Sequence, residues 1–291
     1  MNDVFALDSF TVSRQGIGDA DLSALHALSV SVGWPHRAED WQFLRSYGDG
    51  FVAVDASGRV QASAMWFPFG ADFATVGMVI TSPRLQANGG GAWLMQHVME
   101  QTRGRALGLH ATRAAHRLYR SMGFADEAII YQNQGVVAVL PEIPAAGGTA
   151  RPLLQSDVPK LLALDRMATG TDRASLLALL LGESEGQVLH RDGRLVAYAL
   201  ARPFGRGTVI GPVIAADDAS AIAVVAPHLH ARIGTFARLD TGQADGAFAR
   251  FLLLSGLTTF DTVTRMSLGR AWSLSSQPPH SVYAIAAQTI G

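Results

Sequence analysis

Three consecutive glycines, Gly89, Gly90 and Gly91, open "RLQANGGGAWLMQHV" at residues 84–98, where an otherwise good amphipathic helix should begin. Each glycine inside a helix costs roughly 1 kcal/mol relative to alanine, so stability alone does not place three there. A strand followed by a glycine turn and a helix start gathers unpaired backbone N–H groups and the positive end of the helix dipole at one point. Such a point binds anions, phosphate above all, and glycines let the backbone approach the oxygens with no Cβ in between. Tight packing is the competing use of the same glycines, and the triplet alone does not separate the two. Two histidines follow at positions 110 and 116. His110 ends a predicted strand and is the better candidate for a base; the structural alternative is a buried, hydrogen-bonded ring.

The elements that position these residues are legible in the pattern. Asp19 or Asp21 can cap a helix through "LSALHALSVSV", and a second helical segment follows Pro35. Two strands, "FVAVDA" and "RVQASAMWFPFG", meet at a Ser57-Gly58 reversal, and "FATVGMVI" leads into the glycine turn. The helix "AWLMQHVMEQT", the strand "ALGLHAT", the helix "RAAHRLYRSMG" and two closing strands complete the series. Helices alternating with strands around a mainly antiparallel sheet make the fold α/β or α+β.

This series occurs twice. "DLSALHAL" from Asp21 lies over "DVPKLLAL" from Asp157, "GRVQA" from Gly58 over "GRLVA" from Gly193, and "PFG" from Pro68 over "PFG" from Pro203. "VGMVI" from Val76 then lies over "IGPVI" from Ile210, and Gly123-Phe124 over Gly256-Leu257. Five matches in order, at a slowly shrinking offset of 136 to 133 residues, mean a duplicated domain, since solenoid repeats recur every 20–50 residues or so. Pro and Gly punctuate "PEIPAAGGTARP" at 141–152, so the copies are expected to be 1–146 and 147–291.

The segment Gln86, Ala87, Asn88, Gly89, Gly90, Gly91, Ala92 fits the Q/R-x-x-G-x-G/A element of the GCN5-related N-acetyltransferases, and it resembles that element also in following a strand and preceding a helix. Downstream, "ATRAAHRLYRSMGF" at 111–124 is similar to the family's second signature, a helix ending in LY-x-x-x-GF. The resemblance implies two tandem domains of this fold and acetyl-CoA as acyl donor, its pyrophosphate held by 86–92. It implies that the strand residues Met78, Val79 and Ile80 offer backbone hydrogen bonds to pantetheine and polarise the thioester carbonyl. It makes Tyr119 the acid that protonates the departing thiolate; the alternative for Tyr119 is a packed aromatic. The early helical region with Trp34, His36, Asp40 and Trp41 corresponds to the family's acceptor side, where these residues could hold a cationic amine or simply form core. No carboxylate stands in the strand before the glycine turn, where many members carry a base. Water, His110 or a residue of the second copy is left for that role. Asp172 and Arg173, in the polar loop "ATGTDR", could reach an acceptor, or cap a helix and carry a surface charge. The second copy departs from the signatures: "ADDASAIAVVAPHL" puts Asp217 and Asp218 where the first has glycines, and "ARFLLLSGL" puts Leu252 or Leu253 near the tyrosine's place. Two carboxylates repel a pyrophosphate, so this copy is expected to be degenerate.

Composition sets the outer bounds. The 291 residues are 48% apolar and 16% charged, enough for two globular domains. A net charge of -1 with no basic run argues against nucleic acid or anionic lipid as partner. The absence of cysteine excludes disulfides, thiolate metal sites and a cysteine nucleophile, and direct attack by an amine needs none of these and no metal. "MNDVFALDSF" has no leader pattern and "LLALLLG" is too short to span a bilayer, so a cytoplasmic protein, monomer or homodimer, is expected. Two other readings use the same residues: a non-catalytic CoA-binding sensor or scaffold, and a transferase using another acyl-CoA.

Overall fold

Runs of apolar side chains drive the strands into the core, the central ones buried on both faces, and the computed structural model shows the result for residues 2–7, 10–86, 88–272 and 280–291. The chain divides into two compact units, Met1–Leu107 and Gly108–Gly291.

The first unit contains β1 (Val4–Leu7), β2 (Phe10–Gly16), α1 (Leu22–Ser31), α2 (Ala38–Tyr47), β3 (Asp49–Asp55), β4 (Val60–Phe69), β5 (Phe73–Thr81), α3 (Pro83–Gln86) and α4 (Gly90–Gln101). Strand β6 (Ala106–Ala111) spans the boundary. Strands β1 to β5 pair in sequence order, each antiparallel to the next. Asp21 caps α1, its carboxylate accepting from the N–H groups of Ser23 and Ala24 at 2.8 and 3.1 Å. The β3–β4 reversal falls at the expected Ser57-Gly58, where Asp55 accepts from the Ser57 and Arg59 N–H groups at 2.9 and 3.1 Å. Trp41 is fully buried with Leu25, Phe67 and Leu94, and its indole N–H donates to Ser29 Oγ at 3.0 Å.

The second unit contains α5 (Arg113–Ser121), β7 (Ala125–Val136), β8 (Ala150–Pro152), α6 (Val158–Thr169), α7 (Ala174–Glu183), β9 (Glu185–Arg191), β10 (Arg194–Phe204) and β11 (Gly207–Ala215). It continues with α8 (Asp218–His230), β12 (Phe236–Thr241), α9 (Gly246–Leu254), β13 (Thr258–Leu268) and β14 (Ser281–Ala284). Its strands run in the order β13-β7-β12-β11-β10-β9-β8, with β14 also paired to β11. The β11–β12 pair is parallel and the others are antiparallel. Strand β7, which the repeat assigns to the first copy, is held between β12 and β13. The compact units therefore part before β7, whereas the repeated sequences meet after it.

Helices pack on this mainly antiparallel sheet over a core that includes Val213, Val225, Leu239 and Phe248. Beneath α6 and α7 lies a buried ion pair. Arg173 Nε donates to Asp165 Oδ1 at 3.0 Å, and the Tyr198 hydroxyl donates to the other carboxylate oxygen. Neither charged side chain is more than 3% exposed. Removing one partner strands the other in a low-dielectric interior. Asp165→Ala should lower unfolding stability by about 3–5 kcal/mol in chemical denaturation, and the double variant Asp165→Leu/Arg173→Met should lose much less.

Candidate active site

The glycine triplet serves two ends. Gly89 is the N-cap of α4 with φ +82°, a left-handed turn that favours glycine. A Cβ added there would meet nothing within 4 Å, so the turn is open on that side. A Cβ on Gly90 would stand 2.9 Å from the Leu85 Cβ and 3.3 Å from its carbonyl oxygen, so that glycine is present for packing. Gln86, Asn88 and Gly89 are exposed, Gly91 and Ala92 half-buried, and Ala87 lies outside the described residues. The Asn88 amide donates to the Arg84 carbonyl at 2.9 Å and braces the turn. The first N–H groups of α4 have no acceptor within the helix, and the positive end of its dipole lies with them.

Just upstream, β5 breaks its ladder with β4. Ser63 pairs with Ile80 and Met65 with Gly77, which leaves Met78 and Val79 outside the β4 ladder as a bulge. Met78 takes φ +50°, a left-handed conformation that costs a non-glycine residue about 1–2 kcal/mol. Two features hold it there: its side chain is only 2% exposed, and the buried Ser63 hydroxyl donates to its carbonyl at 2.7 Å. Ser63 was not singled out from sequence; its signal is a lone hydroxyl in the apolar run "ASAMWF". Strain of this kind gathers at functional sites, and here it sits on the strand that feeds the glycine turn.

In the second unit, Tyr119 is buried in α5, its ring edge-on to Phe124 at 5.9 Å. Burial pushes its pKa well above that of an ordinary phenol, so it carries its proton throughout the physiological range. The His110 ring packs on Trp272 at 4.8 Å, and its Nδ1 lies 2.9 Å from the Gln288 carbonyl. Only an N–H can hold that contact, so Nε2 bears the lone pair; it is covered and has no hydrogen-bond partner among the described residues. Burial lowers the His110 pKa to about 4. His116 instead sits against Asp126 at 2.9 Å, in a partly exposed pair.

The expected acceptor residues divide. In the first unit, Trp34 is half-buried and His36 buried, their rings 5.5 Å apart, and His36 stands 6.5 Å from Trp41. Asp40 adds no free charge to this cluster, because Arg37 pairs with it at 2.8 Å. In the second unit, Arg173 is closed to a ligand: its guanidinium is spent on Asp165 and on the Gly291 carbonyl at 2.8 Å. The neighbouring Asp172 is exposed and accepts from the Ala174 N–H at 3.1 Å, at the start of α7. At the second copy's counterpart of Tyr119, Leu252 is buried and Leu253 exposed. Among the described residues no cluster of three or more His, Asp or Glu could hold a metal ion, and no helix is long and apolar enough to cross a membrane.

The His110 geometry has a titration consequence. Its folded pKa lies below the value of about 6.5 for a free imidazole, so between pH 6.5 and 4 the unfolded chain binds the extra proton. Stability from this group is therefore full above that window and is lost as pH falls through it. Ring-nitrogen NMR should find His110 protonated on Nδ1 alone at pH 7, with a midpoint near 4. A midpoint near 6.5 would mean that the ring is solvated.

Two family models, each described as an acetyltransferase (GNAT) domain, match the chain, one at residues 46–126 and the other at 161–283. No curated protein matches it. Among solved structures, a candidate acetyltransferase from Pyrococcus horikoshii superposes with a TM-score of 0.78 at 14% identity, covering 100% of this chain and 99% of that one. A GCN5-related N-acetyltransferase from Sphaerobacter thermophilus gives 0.62 at 17% identity, over 91% and 96% of the two chains. A tandem GNAT protein from the clavulanic acid biosynthesis pathway gives 0.62 at 13% identity, over 89% and 100%. At these identities the structures speak for the fold, and the two family models speak for the family. The chain is a tandem member of the GNAT acetyltransferase superfamily.

Proposed function

We propose that this protein is an acetyl-CoA-dependent N-acetyltransferase acting in the cytoplasm on the primary amine of a small molecule, without metal, nucleic acid or membrane, as a monomer or homodimer. The copy at 1–146 carries the signatures on which this chemistry rests, and the copy at 147–291 lacks them. The observation that carries this reading is the pairing, on one strand-turn-helix unit, of the Met78 bulge with the open left-handed turn at Gly89.

The roles follow from that pairing. The N–H groups opening α4 offer the donors a pyrophosphate needs, and Gly89 leaves room for it. The backbone of Met78, Val79 and Ile80 binds the pantetheine amides and donates to the thioester oxygen as it gains charge. The acceptor nitrogen attacks the carbonyl carbon, the C–S bond breaks, and the sulfur leaves with the electron pair. Tyr119, protonated and buried, donates its hydroxyl proton to that sulfur. Trp34 and His36 face the acceptor. His110 is neutral at pH 7 and can take a hydrogen bond at Nε2, yet with a pKa of about 4 it holds a transferred proton poorly. The acceptor therefore attacks as the free amine; the proton its nitrogen sheds on forming the amide passes to water, and water returns a proton to the Tyr119 oxygen. The same weak base is the observation favouring a CoA-binding sensor without turnover, and the turn itself, reading phosphates, is equally compatible with another acyl-CoA.

Release of free CoA thiol from acetyl-CoA with a panel of small amines tests the proposal. Tyr119→Phe should lower kcat by about 10²- to 10⁴-fold with little change in the KM for acetyl-CoA. An unchanged kcat would remove Tyr119 from the mechanism, and no release by the wild type with any amine would leave the sensor reading.

A further inference from the structure

Strands β11 and β12 pair only at Thr208↔Ala237 and Val209↔Arg238, after which they part. The chain fills the opening with its own β14. Val213 pairs with Ala284, Ile214 with Val282 and Ala215 with Ser281, all antiparallel, while the Ile285 N–H donates across to the Asp240 carbonyl of β12 at 3.0 Å. The approach is so close that a Cβ on Gly211 would stand 2.0 Å from the Ile285 carbonyl oxygen. By the internal repeat, Val213 and Ile214 are the counterparts of Val79 and Ile80, and Pro212, which has no N–H to give, stands for Met78.

The helix ends beside this strand are also occupied. Asp217 accepts from the Ser220 N–H at 2.8 Å in the first turn of α8 and is paired with Arg191 at 3.1 Å. Asp218 accepts from the Phe248 N–H at 3.0 Å, in the first turn of α9, and from the Tyr283 hydroxyl at 2.8 Å. Tyr283 belongs to β14, and its ring lies edge-on to Phe248 at 5.1 Å. One carboxylate thus ties the inserted strand to two helix N-termini.

We propose that the second copy is liganded by its own chain: β14 takes the backbone positions that the first copy offers to the acyl donor, and Asp217 and Asp218 supply the negative charge that phosphate supplies there. This rests on the acyl donor being bound by Met78, Val79, Ile80 and the Gly89 turn. An occupant attached to the chain acts at an effective concentration on the order of millimolar, so a free donor does not displace it. The protein therefore binds one acyl-CoA per chain.

Calorimetric titration with acetyl-CoA, together with backbone amide exchange, tests this. Wild type should bind one equivalent and Gly89→Glu none, and the amides of Val282 and Ile285 should exchange slowly with or without acetyl-CoA. A second equivalent in the wild type, an equivalent retained by Gly89→Glu, or fast exchange at these amides would overturn the inference. If the wild type binds none, the proposed function fails, and the exchange data still decide whether β14 is resident: slow exchange upholds the inserted strand and fast exchange removes it.

Discussion

A strand in a ladder spends its backbone donors and acceptors on its neighbours, so a strand that is to serve a ligand must first be taken out of register. The bulge opposite Ser63 and Met65 does this in the first unit, and the arrangement depends on it. It requires a left-handed Met78, which requires the Ser63 hydroxyl beneath its carbonyl and a buried thioether side chain to hold it. It also sets the direction in which β5 delivers the chain to α3, whose Leu85 demands a glycine at 90 and places the Gly89 turn at the head of α4. Strand, bulge, turn and helix therefore act as one unit, and the open N-terminal end of α4 is positioned by a break several residues earlier.

The second unit also breaks the corresponding ladder, but it does so without a left-handed residue at Pro212, the counterpart of Met78. Its β10–β11 ladder shifts between Ala199 and Ala201, one residue beyond the place the repeat makes equivalent, around Gly211 and Pro212. Proline at the bulge removes an N–H, glycine before it admits the Ile285 carbonyl, and carboxylates replace the glycines at the helix end. Together these changes form a set of contacts internal to the protein. A duplicated domain can diverge in this way without losing its core, because the substituted groups satisfy the same backbone donors.

Much of this was legible in the chain because it is local. The Asp21 cap, the Ser57-Gly58 reversal, the strand-turn-helix around Gly89 and the α5 signature each depend on residues a few positions apart, where turn chemistry and periodicity act. What escaped depends on distant partners. The four residues of β14 carry no period long enough to mark a strand, and their place is set by a gap between two others. Strand β7 reads as the end of the first copy, but hydrogen-bond partners are not written in a strand's own sequence. Asp40 and Arg173 looked available as charges; Arg37, three residues from the one, and Asp165, eight from the other, neutralise them once helices form. The choice between phosphate and packing for the glycine triplet had no answer in sequence, since it turns on what a Cβ would touch.

The central claim is that the open turn at Gly89 holds the acyl donor. The most direct measurement is the thermal midpoint of the wild type, Gly89→Asn and Gly89→Glu, each with and without acetyl-CoA. Asparagine tolerates the left-handed turn better than other side chains, glutamate adds a charge against phosphate, and a Cβ at this position meets nothing within 4 Å. The account predicts a rise with acetyl-CoA in the wild type, a smaller rise in Gly89→Asn and none in Gly89→Glu. Equal rises in all three would contradict it by placing the cofactor elsewhere.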